Sequence, residues 1–171
     1  MSKLSIITTT FNSGAHIQRC LGSVRQVLKD IDFEHIIIDG NSTDGTLEYI
    51  NTYANSYENV KVHNQPPNGI YSALNLGIES CANDYVLFLH SDDILLEDFK
   101  LILENELTSD IYFCGVEIMY KNKFYRKYKP YYFASKYMNA IYPPPHTGMV
   151  IRLECLKKYQ FDVRYKIASD Y

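Results

Sequence analysis

Tyr85-Val86-Leu87-Phe88-Leu89-His90-Ser91-Asp92-Asp93 is an apolar run that stops in two adjacent acids. Its first half reads as a buried strand, and a buried strand cannot carry unpaired carboxylates without a large desolvation penalty. The acids must therefore stand beyond the strand's carboxyl end, at the edge where open α/β sheets bind ligands. Hard divalent cations that carry phosphates favour such oxygen donors, often one or two carboxylates with phosphate and water completing the shell. Helix capping is the ordinary alternative for both residues, because Asp is a favoured cap.

Upstream, strands and helices alternate. Leu4 to Thr10 reads as a strand, and Ile17, Leu21, Val24 and Leu28 mark one face of a helix over Ala15 to Lys29. Phe33 to Asp39 is a second strand, whose unbroken Ile36-Ile37-Ile38 predicts burial on both faces, as in a parallel sheet. Asn41 to Gly45 is a turn, and Leu47, Ile50, Ala54 and Tyr57 outline a second helix face. Val60 to Asn64 gives a third strand, closed by Pro66-Pro67-Asn68-Gly69, and Ile70 to Cys81 a third helix. The order predicts a doubly wound, mostly parallel α/β sheet flanked by helices.

Beyond Asp93 the pattern changes. A helix is expected from Glu97 to Asn105, then strands over Ile111 to Tyr120 and Phe124 to Tyr128 as an antiparallel hairpin, and a last strand over Thr147 to Arg152. The chain reads as one domain, residues 1–171, with a ligand-binding half to residue 105 and an acceptor-side half, 106–171, cut short at its carboxyl end.

Apolar content of 46% and charged content of 22% are those of an ordinary globular protein. No apolar run reaches the roughly 18 residues that span a bilayer, and the amino terminus lacks a cleavable leader pattern. Four scattered cysteines, Cys20, Cys81, Cys114 and Cys155, match no zinc or redox spacing and fit a reducing cytoplasm. The net charge of −3 conceals a segregation: Ile118 to Leu153 holds seven Lys or Arg and no acid. Within it, Lys121 to Phe133 interleaves cations with aromatic rings, a composition suited to an anionic surface such as the inner face of a membrane. A hairpin with packed rings and solvated lysine heads explains the same residues.

Loops after parallel strands share one sheet edge, which collects Thr8 to Asn12, Asp39 to Ser42, Pro67 to Gly69 and Ser91 to Asp93. The first loop has neither Gly-x-Gly-x-x-Gly nor a phosphate-loop lysine, which argues against a dinucleotide dehydrogenase or a phosphate-loop ATPase. An acidic edge attracts a diphosphate only through a bridging cation. Spacing alone reaches a metal-assisted nucleotide site.

The segments Ser5 to Asn12, Ile38 to Thr46, Asn68 to Ile78 and Phe88 to Asp93 resemble, in order and spacing, those of family 2 glycosyltransferases, which have the nucleotide-sugar-binding GT-A fold. Pro145 to Met149 and Ile167 to Tyr171 resemble later landmarks more loosely. The resemblance implies an inverting transfer from a nucleotide-sugar, UDP-linked, to a saccharide or lipid-linked saccharide acceptor in bacterial surface polysaccharide synthesis. It implies nucleobase contacts at Thr9 and Asp39, a ribose-side acid at Asp92, a Mn²⁺ or Mg²⁺ ligand at Asp93 and a general base at Asp170. Asn12, Asn68 and Gly69 join the nucleotide-binding set from the same loops, and His146 is a candidate substrate contact. Two departures stand out: His90 occupies a position often Asp or Asn, and Ser72 and Leu74 lie in a helix that often carries Arg. A sugar-nucleotidyltransferase would need a glycine-rich basic first loop. A non-catalytic module docking its hairpin on a membrane, or less fittingly on nucleic acid, leaves the strand-end acids unexplained.

Overall fold

The computed structural model describes residues 3–66, 68–104, 106–120, 123–128 and 146–165. Four parallel strands form the centre: β1 (Leu4–Thr10), β2 (Phe33–Asp39), β3 (Val60–Asn64) and β4 (Tyr85–Phe88), in spatial order β3-β2-β1-β4. Next to β4 runs β8 (Met149–Arg152), antiparallel, and β5 (Ile111–Phe113) closes the far edge against β8. Every residue of β1 and β2 is buried, as the unbroken isoleucine run requires of a strand covered on both faces.

The two faces have separate cores. On one, Leu4 and Ile6 meet Cys20 and Val24 of α1 (Ile17–Val27). On the other, Ile7, Ile36 and Ile38 meet Tyr71, Leu74 and Ile78 of α3 (Ile70–Ser80). A Cβ on Gly77 would lie 2.6 Å from Ile7 Cγ2, so only glycine lets α3 approach β1 this closely. Burial pushes the thiols of Cys20, Cys81 and Cys114 up to about 12, and they pack as small apolar groups.

Several expectations are corrected. α2 (Thr46–Ser56) buries Thr46, Ile50 and Tyr53; Tyr57 stands just past its end in extended backbone, 39% exposed, and so leaves the helix face. The helix expected over Glu97 to Asn105 is a 3-10 turn, Glu97–Phe99, and one turn of α4 (Lys100–Leu103), with Asn105 outside the described residues. Phe99 alone in this segment is buried, so little apolar area is gained by continuing it. The strand expected over Ile111 to Tyr120 breaks at Cys114-Gly115, where Cys114 N–H donates to Gly148 O at 2.7 Å. Its second half, β6 (Val116–Tyr120), leaves the main sheet and pairs antiparallel with β7 (Lys123–Tyr128). The anticipated hairpin is therefore present as a separate ribbon, its turn residues Lys121 and Asn122 lying outside the described residues. Thr147 lies within a 3-10 turn, His146–Gly148, rather than opening β8, and α5 (Leu153–Lys158) follows without having been anticipated.

Candidate active site

The carboxyl ends of β1 to β4 open into a cleft of about 520 Å³. From β1 come Thr9 and Thr10, with Phe11 just past its end; Gln65 and Pro66 follow β3, and Asn68, Gly69 and Ile70 lead into α3. Past β4 come His90, Ser91 and Asp92. Of the residues expected from sequence, Thr9, Asn68, Gly69 and Asp92 line the cleft. Gly69, at φ 86°, turns the chain into α3 in a conformation that favours glycine.

Asp39 is fully buried and spans the gap between loops. Its Oδ2 accepts the Ser42 N–H at 2.8 Å and its Oδ1 accepts the Ser42 hydroxyl at 2.6 Å. Ser42 Oγ in turn accepts the Asn12 N–H at 2.9 Å, and Asn12 Oδ1 accepts the Thr43 N–H at 2.9 Å. Asp39 and Asn12 thus brace the cleft floor from behind and stand outside its lining.

Beyond β4, Asp93 Oδ2 accepts the His90 N–H at 3.1 Å, folding the loop so that Asp92 meets the cleft. Burial, and secondarily the neighbouring Asp92 charge, raise the Asp93 carboxyl above the usual Asp value. Thr9 Oγ1 lies 2.8 Å from His90 Nδ1, and His90 Nε2 lies 2.8 Å from His146 Nε2. His146 therefore reaches the cleft through His90, with its ring edge-on to Phe88 and Phe161. Asp44 has a local role: it accepts the Gly14 N–H at 2.9 Å and the Thr46 N–H at 3.2 Å, beside the first turn of α2. The candidate base Asp170, together with Pro145, lies outside the described residues.

Sequence reasoning passed over Phe11, Thr10 and Gln65 as site residues. Phe11 is 54% exposed, and its ring packs where a Cβ on Gly40 would come within 3.1 Å. An aromatic residue directly after a buried strand at the ligand edge was its signal. Gln65 follows β3, and its Nε2 donates to Ser72 Oγ at 2.7 Å, so the serine found where charge was sought orients a cleft amide.

Among the described residues no group of three or more His, Cys, Asp or Glu side chains is placed to hold a metal alone. Asp92 and Asp93 nonetheless fit a hard cation whose shell is completed by diphosphate and water. Both offer carboxylate oxygens, and Asp93 keeps one oxygen beyond the bond to His90.

The sequence model of Glycosyl transferase family 2 matches residues 5–164. A PGL/p-HBAD biosynthesis glycosyltransferase of Mycobacterium tuberculosis is 40% identical over 95 residues, which cover 54% of this chain and 36% of that protein. A poly(ribitol-phosphate) beta-glucosyltransferase of Bacillus spizizenii is 38% identical over 96 residues, 54% of this chain and 15% of that one. The crystal structure of S. aureus TarS 1-349 in complex with UDP superposes with a TM-score of 0.67 at 22% identity, over 98% of this chain and 52% of that one. The aligned stretch is thus about a third or less of these curated relatives.

Proposed function

Because the chain belongs to glycosyl transferase family 2, we propose that its cleft binds a nucleotide-sugar, UDP-linked, and that the chain takes part in transferring the sugar to a saccharide or lipid-linked saccharide acceptor with inversion. The observation that carries this is the convergence of four strand ends on one cleft, with an exposed aromatic plane at Phe11 on the β2 side and Asp92 on the β4 side. Phe11 offers the base a stacking surface, and Asp39, bonded to Ser42 through both oxygens, fixes the loop behind it. Asn68 and Gly69 bring polar backbone and amide groups to the ribose and diphosphate side.

Asp92 and Asp93 would hold Mn²⁺ or Mg²⁺, which when bound neutralises charge on the departing diphosphate. In the transfer, an acceptor oxygen attacks the anomeric carbon as the bond to the diphosphate oxygen breaks. Asp170 takes the acceptor proton, a contribution typically of about 10²–10⁴-fold; this assignment rests on the sequence resemblance. The contact between His146 and His90 supports His146 as a contact to the sugar or acceptor at the β4 end.

The acceptor class is supported by the relatives, a PGL/p-HBAD biosynthesis glycosyltransferase and a poly(ribitol-phosphate) beta-glucosyltransferase. The β6–β7 ribbon supports peripheral attachment at the inner face of a membrane, since Phe124 and Tyr125 are 60% and 71% exposed beside Lys123, Arg126 and Lys127. Among the described residues no helix is long and apolar enough to cross a bilayer. Reversing charge at Lys127 and Lys129 should reduce sedimentation with anionic vesicles; unchanged sedimentation removes the ribbon from membrane attachment.

Calorimetric titration with UDP, with and without Mn²⁺, tests the central reading. Binding strengthened by Mn²⁺ in the parent chain, and no longer strengthened in Asp92→Ala and Asp93→Ala, is the expected result. Absence of UDP binding under both conditions overturns it.

A further inference from the structure

Every polar group of His90 is engaged within the protein. Its N–H donates to Asp93 Oδ2 at 3.1 Å, and its carbonyl accepts the Cys20 thiol at 3.4 Å. Its Nδ1 lies 2.8 Å from Thr9 Oγ1, and its Nε2 lies 2.8 Å from His146 Nε2. A contact between two ring nitrogens needs one N–H and one lone pair, so both nitrogens of His90 hold the ring in place. The residue is nonetheless half-buried and lines the cleft.

His146 stands outside the lining, bonded to His90, and is braced in turn. Its ring lies edge-on to Phe88, with centroids 5.8 Å apart, and to Phe161 at 6.2 Å. Phe161 stacks on Tyr71 of α3 at 5.4 Å. Asn75, one turn further along α3, donates to Phe161 O at 2.8 Å and accepts its N–H at 3.0 Å. His90, His146 and Phe161 thus form a continuous wall, tied to β1 at one end and to α3 at the other. Side chains locked from several sides keep their geometry when a ligand arrives.

The position of the wall says what meets it. Phe11 stands beside Gly40 on the β2 side of the cleft, and Asp92 stands past β4, next to the wall. A donor with its base at Phe11 and its diphosphate at the acids has one part left to place, the sugar, at the β4 end. With both nitrogens engaged, His90 offers that sugar a shape rather than a hydrogen bond. A bulky or polar substituent turned toward it meets a fixed surface and loses water without a partner.

We propose that His90 is a specificity-determining residue, which limits the sugars that the donor site accepts, and that His146 is the positioning residue behind it. The proposal rests on the donor-binding reading above and adds selectivity to it.

Titration of UDP, UDP-glucose, UDP-galactose and UDP-N-acetylglucosamine in the presence of Mn²⁺ tests it. His90→Asn reproduces the Nδ1 position but ends short of His146. It should narrow the spread of affinities among the three UDP-sugars by about 10-fold. His146→Ala should narrow it too, and the double variant no further than His90→Asn, because the pair acts as one unit. His90→Gln, which reaches His146 again, should keep the spread of the parent. UDP itself should bind the parent and all variants within about twofold. A parent that binds the three sugars equally, or a spread unchanged in His90→Asn, overturns the inference and leaves the donor site standing. So does UDP weakened as much as the UDP-sugars, additive effects of the two substitutions, or His90→Gln as relaxed as His90→Asn. A parent that binds no UDP overturns the donor reading and this selectivity together.

Discussion

The Asp93 carboxylate turns back to accept the His90 backbone N–H at 3.1 Å, while its neighbour Asp92 faces the cleft. Burial raises the Asp93 carboxyl above its ordinary value, so the folded state disfavours its charge. A raised folded value means that Asp93 supports stability at pH below its unfolded value and loses that support as pH rises through the folded one. At neutral pH its charge therefore works against the fold. Asp93→Asn keeps an oxygen for His90 and removes that charge. It should raise the urea midpoint at pH 7.5 while abolishing the Mn²⁺-dependent part of UDP binding. Asp92→Asn, exposed, should leave the unfolding free energy within about 0.5 kcal/mol of the parent. A lowered midpoint for Asp93→Asn would contradict this account.

His35 sits wholly buried between Thr8 Oγ1 at 2.9 Å and Tyr53 Oη at 3.1 Å. Burial first, and the Arg25 charge second, lower its value to about 3 from 6.5. The unfolded chain thus binds a proton that the folded chain refuses between those values, so stability is lost as pH falls through that window. Moving from pH 7.5 to 5.0 should cost about 2 kcal/mol from this residue, at about 1.4 kcal/mol per unit below 6.5. Urea unfolding of the parent and His35→Gln at both values checks it; equal pH slopes in the two would exclude His35 as the source.

The parallel half of the sheet was legible because its signals are local. Ile36-Ile37-Ile38 needed burial on both faces, and Pro66 to Gly69 had to break the chain, so β2, β3 and α3 fell within a residue or two of expectation. What followed Asp93 depended on tertiary choices. The apolar run Ile111 to Tyr120 carries no sign that Gly148 will take the Cys114 N–H and send β6 into another sheet. At the site, residue types marked the loops but not side-chain direction. Asp39 was legible as an acid at a strand end, while its closure on Ser42 depends on the return of the loop beyond Gly40. Thr10 and Phe11 lay inside a quoted segment, yet only the fold shows that they line the cleft.

Gly77 tests how tightly α3 packs on β1. An added Cβ would meet Ile7 Cγ2 at 2.6 Å and Cδ1 at 3.1 Å. Ile7 is fully buried on β1, so it has little room to retreat. Alanine's better helix propensity is about 1 kcal/mol in its favour, against an overpacking penalty of about 1–3 kcal/mol. Gly77→Ala should therefore destabilise by about 1 kcal/mol, and Ile7→Val in the same chain should recover part of that loss. Thermal or urea unfolding of the single and double variants decides it. A more stable Gly77→Ala would show that α3 can slide away from β1.

Ser42 is the joint between the first two loops. Its hydroxyl donates to Asp39 Oδ1 at 2.6 Å and accepts the Asn12 N–H at 2.9 Å. Asn12 sits at φ 50°, in the left-handed region that Asn tolerates better than most residues other than glycine. Ser42→Ala deprives a buried carboxylate of a charge-assisted bond and should cost about 1.5–3 kcal/mol. It should also loosen Phe11, adjacent to Asn12, and weaken UDP binding. Asn12→Gly separates the two effects. It forfeits the bond to Thr43 but relieves the left-handed backbone, so its stability should stay within about 1 kcal/mol of the parent. If Ser42→Ala instead melts like the parent, the Asp39 carboxylate does not depend on Ser42, and the rigidity of the base end of the cleft must come from β1 and β2 alone.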